Sequence, residues 1–297
     1  MKLVPAAPLP TARRASRGFG LMELLVTMVL ITVVIGAIMT AFFRSAGQAQ
    51  RLTDVAERRQ SARTGVAMME REIRSAGSGW GRLPVYGNDG SGNFTVISAV
   101  TPGYTSPAVD DSVVLVGAWG ASTTITDPMP NSSSNFKVAD VTGFNPNDLV
   151  IITNGSTAHM LQVTSTNSSS ETIQHNPASV YNNPGGMNDV SRHWPVNGYG
   201  PGSLIFKITM SSYYIDRTSY RRPALIRHEY MQAPQVAAYN VDGLHVWYQL
   251  QNGTWTRNPQ DLMAIEKVSP VVLTAIRDPR RPTLADSVWT AIQPRSF

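Results

Sequence analysis

One carboxylate is the most distinctive chemical group of this chain, because it borders a long stretch without formal charge. The carboxylate belongs to Glu23, and the 20 residues from Leu24 to Phe43 carry no charge. At about 1.5 Å per helical residue, that stretch can cross a hydrocarbon core of roughly 30 Å. An ionised carboxylate at its edge needs a partner, since an unpaired charge is costly in lipid. No residue within the segment can supply one.

A basic leader precedes this carboxylate. Residues 1–18 contain no acidic residue, and their basic residues are Lys2, Arg13, Arg14 and Arg17. Positive charges beside an apolar span favour a cytoplasmic N-terminus, with the C-terminal body on the other side of the membrane. An ordinary secretory signal has a shorter apolar core, usually about 7 to 15 residues, that ends at a small-residue cleavage site. Here the run is longer and Gly18 lies on its cytoplasmic side, which argues against ordinary secretion.

The order of Gly18, Phe19, Glu23 and the apolar run resembles the type IV prepilin class. Members of that class have a short basic leader ending in glycine, then usually phenylalanine, a glutamate as the fifth mature residue and a long apolar segment. The resemblance implies that prepilin peptidase cuts between Gly18 and Phe19 and methylates the new amine of Phe19. It also implies that Glu23 pairs with the Phe19 amine of a neighbouring subunit during assembly.

The implied pairing has a physical basis of its own. Cleavage creates a cation four residues before Glu23, so two groups that are each costly in lipid can neutralise one another between adjacent helices. The alternative is a plain membrane anchor in which Glu23 reaches toward the head groups. Gly36 interrupts the apolar run without a nearby proline, which departs from the major pilins that carry a proline in this part of the helix.

An amphipathic pattern continues beyond Phe43. Apolar residues recur at spacings of three, four or seven, and charged residues occupy other positions around the helix. Gly77 and Gly79 then predict the end of the helix at Ala76. We therefore expect one helix over residues 19–76, with 19–43 in lipid or a filament core and 44–76 against the head. Two helices separated near residues 45–50 are the alternative.

Residues 77–297 are expected to form a β-rich head. Short β-branched runs bounded by turn residues predict strands at 94–100, 112–119, 136–141, 149–153, 160–164, 203–210, 212–215, 243–251 and 268–276. The predicted fold class is α+β and pilin-like, with the long N-terminal helix packed on a mostly antiparallel sheet that has loop-rich β insertions. We expect one small insertion at 136–174 and exposed loops at 131–135, 164–172 and 182–188.

Catalytic chemistry is not indicated. The chain has no cysteine, which excludes disulfides, thiolate zinc sites and thiol nucleophiles. The five histidines occur singly, without zinc-ligand spacing, and no nucleotide-binding or hydrolase motif is present. The loop from Asn88 to Asn93 is rich in side-chain oxygens and could bind calcium, but calcium loops usually supply several carboxylates and this one has only Asp89. We therefore interpret it as a turn. We predict no enzyme, no metal site and no cofactor.

Charge and aromatic content point to no further ligand. The leader carries four of the five net positive charges, so no nucleic-acid partner is expected. Aromatic residues cluster toward the C-terminal half, and their alternation within strands favours core packing over a surface patch. The same half contains several arginines, which we interpret as a solvated face; they are Arg217, Arg221, Arg222, Arg227, Arg277, Arg280 and Arg281.

A second resemblance concerns the end of the long helix. Residues 69–77, with Arg74 before the Ala76-Gly77 pair, resemble the helix end of PilW-type minor pilins. Residues 145–152 and 240–248 are similar to strand segments of that group. The J-type pseudopilin of type II secretion has a similar helix end and size.

Together these patterns predict a minor pilin-like subunit that enters a type IV pilus or related filament through helix packing. Its role would be assembly, priming or tip display. Its partners would be prepilin peptidase, other major and minor pilins or pseudopilins, the inner-membrane assembly platform and, before assembly, lipid. We expect an inner-membrane precursor with a periplasmic head, later in a pilus or periplasmic filament. The alternatives are the J-type pseudopilin, a pilus-tip adhesin with an exposed aromatic or polar groove, and a membrane-anchored enzyme.

Overall fold

The computed structural model describes residues 20–91, 93–106, 108–132, 135–176, 179–182, 193–275 and 285–294. Gly18, Phe19, the leader, Arg277, Arg280, Arg281 and most of the predicted loop at 182–188 lie outside these ranges. The chain divides into two compact units, Met1–Asp54 and Val55–Phe297.

A single helix, α1 (Leu21–Ser75), passes from the first unit into the second. Residues 45–50 are helical, so the alternative of two helices is wrong. The helix ends as the glycines predict: Gly77 has a φ of 72°, and its amide donates to the Val116 carbonyl at 2.9 Å. A left-handed conformation at this position is accessible to glycine at little cost, which explains the sharp stop.

Sixteen strands follow in the described parts of the chain. In chain order they are β1 (Val85–Asn88), β2 (Phe94–Ile97), β3 (Val100–Gly103), β4 (Ser112–Thr124), β5 (Phe136–Lys137), β6 (Leu149–Thr153), β7 (Ala158–Gln162), β8 (Ser165–Asn167), β9 (Thr172–Gln174), β10 (Leu204–Asp216), β11 (Ala224–Glu229), β12 (Gln235–Tyr239), β13 (Gly243–Leu250), β14 (Trp255–Thr256), β15 (Ile265–Ala275) and β16 (Ala285–Trp289).

The strands form three sheets in the described residues. The large sheet has the order β12-β11-β10-β6-β7-β1-β2, and β4 pairs with both β10 and β3. A second sheet has the order β14-β13-β15-β16, and a third has β5-β9-β8. Among the described pairs, β1 with β7 is parallel and the others are antiparallel. The predicted α+β class, a long helix with a mostly antiparallel sheet, is confirmed.

Two apolar cores lie on opposite faces of the large sheet. Strand β6 is buried along its whole length and contributes Leu149 and Ile151 to one core and Val150 and Ile152 to the other. The first core contains the buried face of α1 and the inner face of the β13–β15 sheet. The second contains the small β5-β9-β8 sheet through Phe136 and Ile173. Because β6 and β7 pair within the large sheet, residues 136–174 contribute to two sheets; the proposed insertion boundary stays a prediction.

Several strand predictions need correction. Residues 203–210 and 212–215 belong to one strand, β10, and the predicted loop at 164–172 contains β8. The run 136–141 shortens to the two residues of β5. Strands β1, β11 and β12 were missed because their sequences mix glycine, alanine or charged residues with few β-branched ones. Hydrogen bonding to neighbouring strands overrides that weak local preference.

Candidate assembly segment

The first part of α1 presents an apolar surface. All residues from Leu21 to Phe43 are exposed within the chain, and the large side chains among them are 51 % exposed or more. By length and composition, α1 is the one helix of the described residues that could cross a membrane. Apolar surface on this scale is unstable in water. The segment therefore needs lipid or other apolar helices around it.

Hydroxyl groups do not interrupt this apolar surface. The hydroxyls of Thr27, Thr32 and Thr40 donate to the carbonyl oxygens four residues earlier, at 2.5, 2.8 and 2.8 Å. Because each donor is satisfied inside its own helix, the threonines present mainly their methyl groups outward. The segment is thus compatible with a hydrocarbon environment despite three polar side chains.

Glu23 lies in the first turn of the helix. Its amide donates to the Gly20 carbonyl at 3.0 Å, and its exposed side chain projects from the positive end of the helix dipole, where a carboxylate is favoured. No ion pair joins its carboxylate to another residue of the described ranges. The structure thus leaves Glu23 available to a group from outside these ranges.

The later part of α1 is packed against strands of the same unit. The buried helix residues are Ala62, Gly65, Val66, Met69 and Ile73. A Cβ atom on Gly65 would lie 3.0 Å from both the Ala238 Cβ and the Leu225 Cδ2, so the absence of a side chain allows the helix to approach β11 and β12 closely. The amide of Tyr239 also donates to the Ser61 Oγ at 2.8 Å.

An ion-pair cluster joins the same helix to β11. Arg227 Nε donates to Glu72 Oε1 at 2.6 Å, and its Nη2 donates to Glu229 Oε2 at 2.7 Å. Burial lowers the pKa of Arg227, but the hydrogen bonds to Glu229 and Glu72 outweigh it and raise the pKa above its ordinary value. Burial, followed by the nearby Glu72 carboxylate, raises the pKa of Tyr213. The guanidinium of Arg227 therefore stays charged, and its partly buried ion pairs help to hold the helix against β11.

The end of α1 is held on β4. The Ala118 amide donates to the Ser78 carbonyl at 3.1 Å, and the Ser78 hydroxyl donates to the Ala118 carbonyl at 3.2 Å. A Cβ on Gly117 would lie 2.7 Å from the Ser75 carbonyl oxygen. The last turn of the helix and the middle of β4 are in such close contact that a larger residue at 117 would displace one of them.

The described histidines belong to no candidate metal site, although His193 lies near enough to His159 to affect its protonation. Among the described residues, no group of three or more His, Asp or Glu side chains could hold a metal ion. His159 is fully buried and shares a 2.6 Å hydrogen bond between its Nδ1 and the Tyr199 hydroxyl. Burial, followed by repulsion from His193, lowers the pKa of His159 to about 3. This histidine acts as a neutral core residue.

The Asp89 loop uses its carboxylate within the backbone turn. Asp89 Oδ1 accepts hydrogen bonds from the amides of Ser91 at 2.8 Å and Asn93 at 3.3 Å. These contacts are those of an Asx turn, as the turn interpretation expects. Of the arginines interpreted as a solvated face, Arg217 is 51 % exposed and donates to Asp110. That interpretation is wrong for Arg227, whose side chain is 16 % exposed and pairs with Glu72.

The prediction that the C-terminal aromatic residues pack in the core is correct in part. Tyr199, Tyr213 and Tyr248 are fully buried. The prediction is wrong for Trp247, Trp255 and Tyr239, which are 40, 41 and 56 % exposed. Alternation along a strand assigns residues to two faces but does not reveal which face is covered.

The contacts that hold the helix on the sheet were not found from the sequence. Glu72 and Arg227 are 155 residues apart, and no local pattern links them. The close approach at Gly65 had one weak signal, a glycine inside an otherwise regular helical pattern.

Comparison with known proteins identifies the N-terminal segment. A family model described as the prokaryotic N-terminal methylation motif matches residues 13–39. The match includes Gly18, Phe19 and Glu23 and extends into the exposed apolar part of α1. No curated protein matches the chain. The motif supports a type IV prepilin-like protein that prepilin peptidase processes, and with the apolar helix it fits an inner-membrane-anchored precursor.

Proposed function

We propose that this chain is a minor pilin-like subunit that enters a type IV pilus or related filament by N-terminal helix packing. Prepilin peptidase removes residues 1–18 and methylates the amine of Phe19. Residues 19–43 then lie in the inner membrane, residues 44–76 support the head, and residues 77–297 form the periplasmic head. The subunit serves assembly, priming or tip display together with other pilins and the membrane platform.

The exposed first part of α1, with Glu23 at its start, supports this proposal most directly. The head covers one face of the helix from Ala62 to Ile73, whereas no described residue covers Leu21 to Phe43. Lipid can cover that surface before assembly, and the apolar helices of neighbouring subunits can cover it in a filament.

Glu23 makes the filament preferable to lipid alone. A carboxylate at the end of an apolar helix is poorly solvated in a membrane, and pairing it with a cation lowers the cost of its burial. The methylated amine of Phe19 on a neighbour is a cation that an axial offset of about 6 Å between adjacent helices brings level with Glu23, since the two groups are four residues apart in each chain. The pairing selects both the partner and the axial register between adjacent helices.

Affinity purification from membranes of the native host tests the proposal. The full-length chain is isolated in detergent as wild type, Glu23→Gln and Glu23→Ala, and bound proteins are identified by mass spectrometry. Glu57→Ala is the matched control, because Glu57 is an exposed carboxylate on the same helix outside the apolar run. We expect wild type and Glu57→Ala to recover other pilins, and both Glu23 variants to recover far less.

The same samples report on processing and on the system served. The wild-type N-terminal peptide should begin with methylated Phe19. A protein that begins at Met1, or equal recovery of partners by all four forms, would contradict the proposal. Partners from a secretion apparatus in place of pilus proteins would identify a J-type pseudopilin.

A further inference from the structure

The sheet of β14, β13, β15 and β16 has one covered face and one open face. Leu244, Val246 and Tyr248 of β13 point into the first core, together with Val268 and Val272 of β15. The intervening positions of these strands form the opposite face. Three tryptophans lie on that opposite face, and they are Trp247 of β13, Trp255 of β14 and Trp289 of β16.

The strand register places these three rings on one diagonal. Trp255 is opposite Gln249, two residues from Trp247 on β13. Trp289 is opposite Val271, which is itself opposite His245, two residues from Trp247 in the other direction. From ordinary strand spacing and rise, neighbouring Cα atoms on this diagonal are about 8 Å and about 12 Å apart. The tryptophans thus form a row across the sheet and not a single cluster.

All three indoles are available to a ligand. Trp247, Trp255 and Trp289 are 40, 41 and 64 % exposed, which is unusual for so large an apolar side chain. Gln249 lies beside two of them, but its Oε1 is buried, so stacking on the indoles is the contact that this row offers a ligand.

At its described register positions, the open face is nearly uncharged. Lys267 is the one formally charged residue at the described register positions of this face. Glu266, the preceding residue in the chain, lies at a register shift and has no partner position on β13. His245 is opposite Val271, and burial, followed by the nearby Arg257 cation, lowers its pKa. A single-stranded nucleic acid would require a positively charged track beside the rings. An anionic membrane surface would likewise require a basic cluster.

We propose that this tryptophan face, formed by Trp247, Gln249, Trp255, Lys267 and Trp289, binds a neutral β-linked polysaccharide. Such a polymer is flat and extended, and it presents C–H groups on its faces and hydroxyls along its edges. The C–H faces can stack on the exposed indole rings. A row of separated rings matches a linear chain of sugars. Protein hot spots instead cluster near the centre of an interface.

Retention of the purified full-length chain on insoluble chitin and cellulose tests this proposal. The forms compared are wild type, Trp247→Ala, Trp255→Ala and Trp289→Ala. Trp119→Ala is the matched control, because Trp119 is 56 % exposed and lies on β4, outside this sheet. We expect wild type and the control to bind at least one polymer. Each of the three substitutions should weaken binding about tenfold. Loss of one aromatic ring that stacks on a base has an effect of this size in proteins that bind single-stranded nucleic acids.

The controls separate this proposal from folding and from filament assembly. Near-ultraviolet circular dichroism checks that each variant retains its tertiary packing, and Trp247→Phe should recover part of the binding. Glu23→Gln should bind the polymers like wild type, because the tryptophan face does not depend on assembly. Absence of wild-type binding to both polymers, or equal binding by every variant, would overturn the proposal. Loss of pilin partners in the tryptophan variants without any polymer binding would also overturn it, in favour of a subunit interface.

Discussion

The early and late parts of helix α1 have opposite surroundings within one continuous element. Residues 21–43 are exposed on every side, whereas residues 62–73 bury a face against strands of the head. The early part is apolar all round and begins beside Glu23, whose carboxylate forms no ion pair with another described residue. The later part is amphipathic and closely fitted. Within the described residues, the head covers the later part of the helix and leaves the early part uncovered; under the proposed function, lipid or neighbouring subunits cover it.

The largest loss of stability should come from disrupting the ion-pair cluster that holds the later part of α1 on the head. Arg227→Met leaves Glu72 and Glu229 partly buried without their cation, and we expect it to lower the free energy of unfolding of the head by about 3 to 5 kcal/mol. All six tryptophans follow residue 77, so guanidinium unfolding of the full chain in detergent, followed by fluorescence, reports on the head.

The matched control for that cluster is Arg74→Met. Arg74 pairs with Glu70 on the same helix, but its side chain is 55 % exposed. An exposed helical pair of this kind contributes a few tenths of a kcal/mol, about 0.3 to 0.5. If both substitutions change the unfolding midpoint equally, the cluster does not hold the helix on the sheet.

A matched pair of methionines compares the two parts of α1 directly. Met69→Ala leaves a cavity at a fully buried site, and we expect a loss of about 2 to 5 kcal/mol in the same unfolding assay. Met28→Ala changes a side chain that is 62 % exposed in the early part, and the expected change is within about 0.5 kcal/mol. Similar losses at both sites would mean that the two parts of the helix do not differ as described.

Per pH unit, the smallest of the expected effects on stability comes from His159. Its pKa in the folded chain is about 3, below its ordinary value of 6.5. Unfolding lets it bind a proton, so stability is fully present above about pH 6.5 and falls as pH decreases toward 3, by up to about 1.4 kcal/mol per pH unit. His159→Gln should flatten this part of the stability curve.

The exposed His228 provides the control, since His228→Gln should leave the pH dependence unchanged. The comparison requires unfolding curves of wild type and both variants at several values between pH 4 and 7. An unchanged slope in His159→Gln would show that other groups account for acid sensitivity.

The same contrast explains what the sequence could predict. The apolar run, the lone Glu23 and the glycines after Ala76 are local signals, and they predicted the helix and its end to within a residue or two. The Glu72–Arg227 pair depends on residues brought together by the fold, so no spacing reveals it. Likewise, the alternation around Trp247 gave two faces of a strand, and only the packing of β13 on the first core decides which face is open.

Photo-crosslinking beside Glu23 tests the central claim most directly. A photoreactive amino acid in place of Met22, in the full-length chain within host membranes, reports which molecules surround the start of α1. We expect crosslinked adducts with another subunit that carries a methylated N-terminus, and we expect Glu23→Gln to remove them while Glu57→Ala retains them. Adducts with lipid alone, or protein adducts unaffected by Glu23→Gln, would contradict pairing of this carboxylate with a neighbouring subunit.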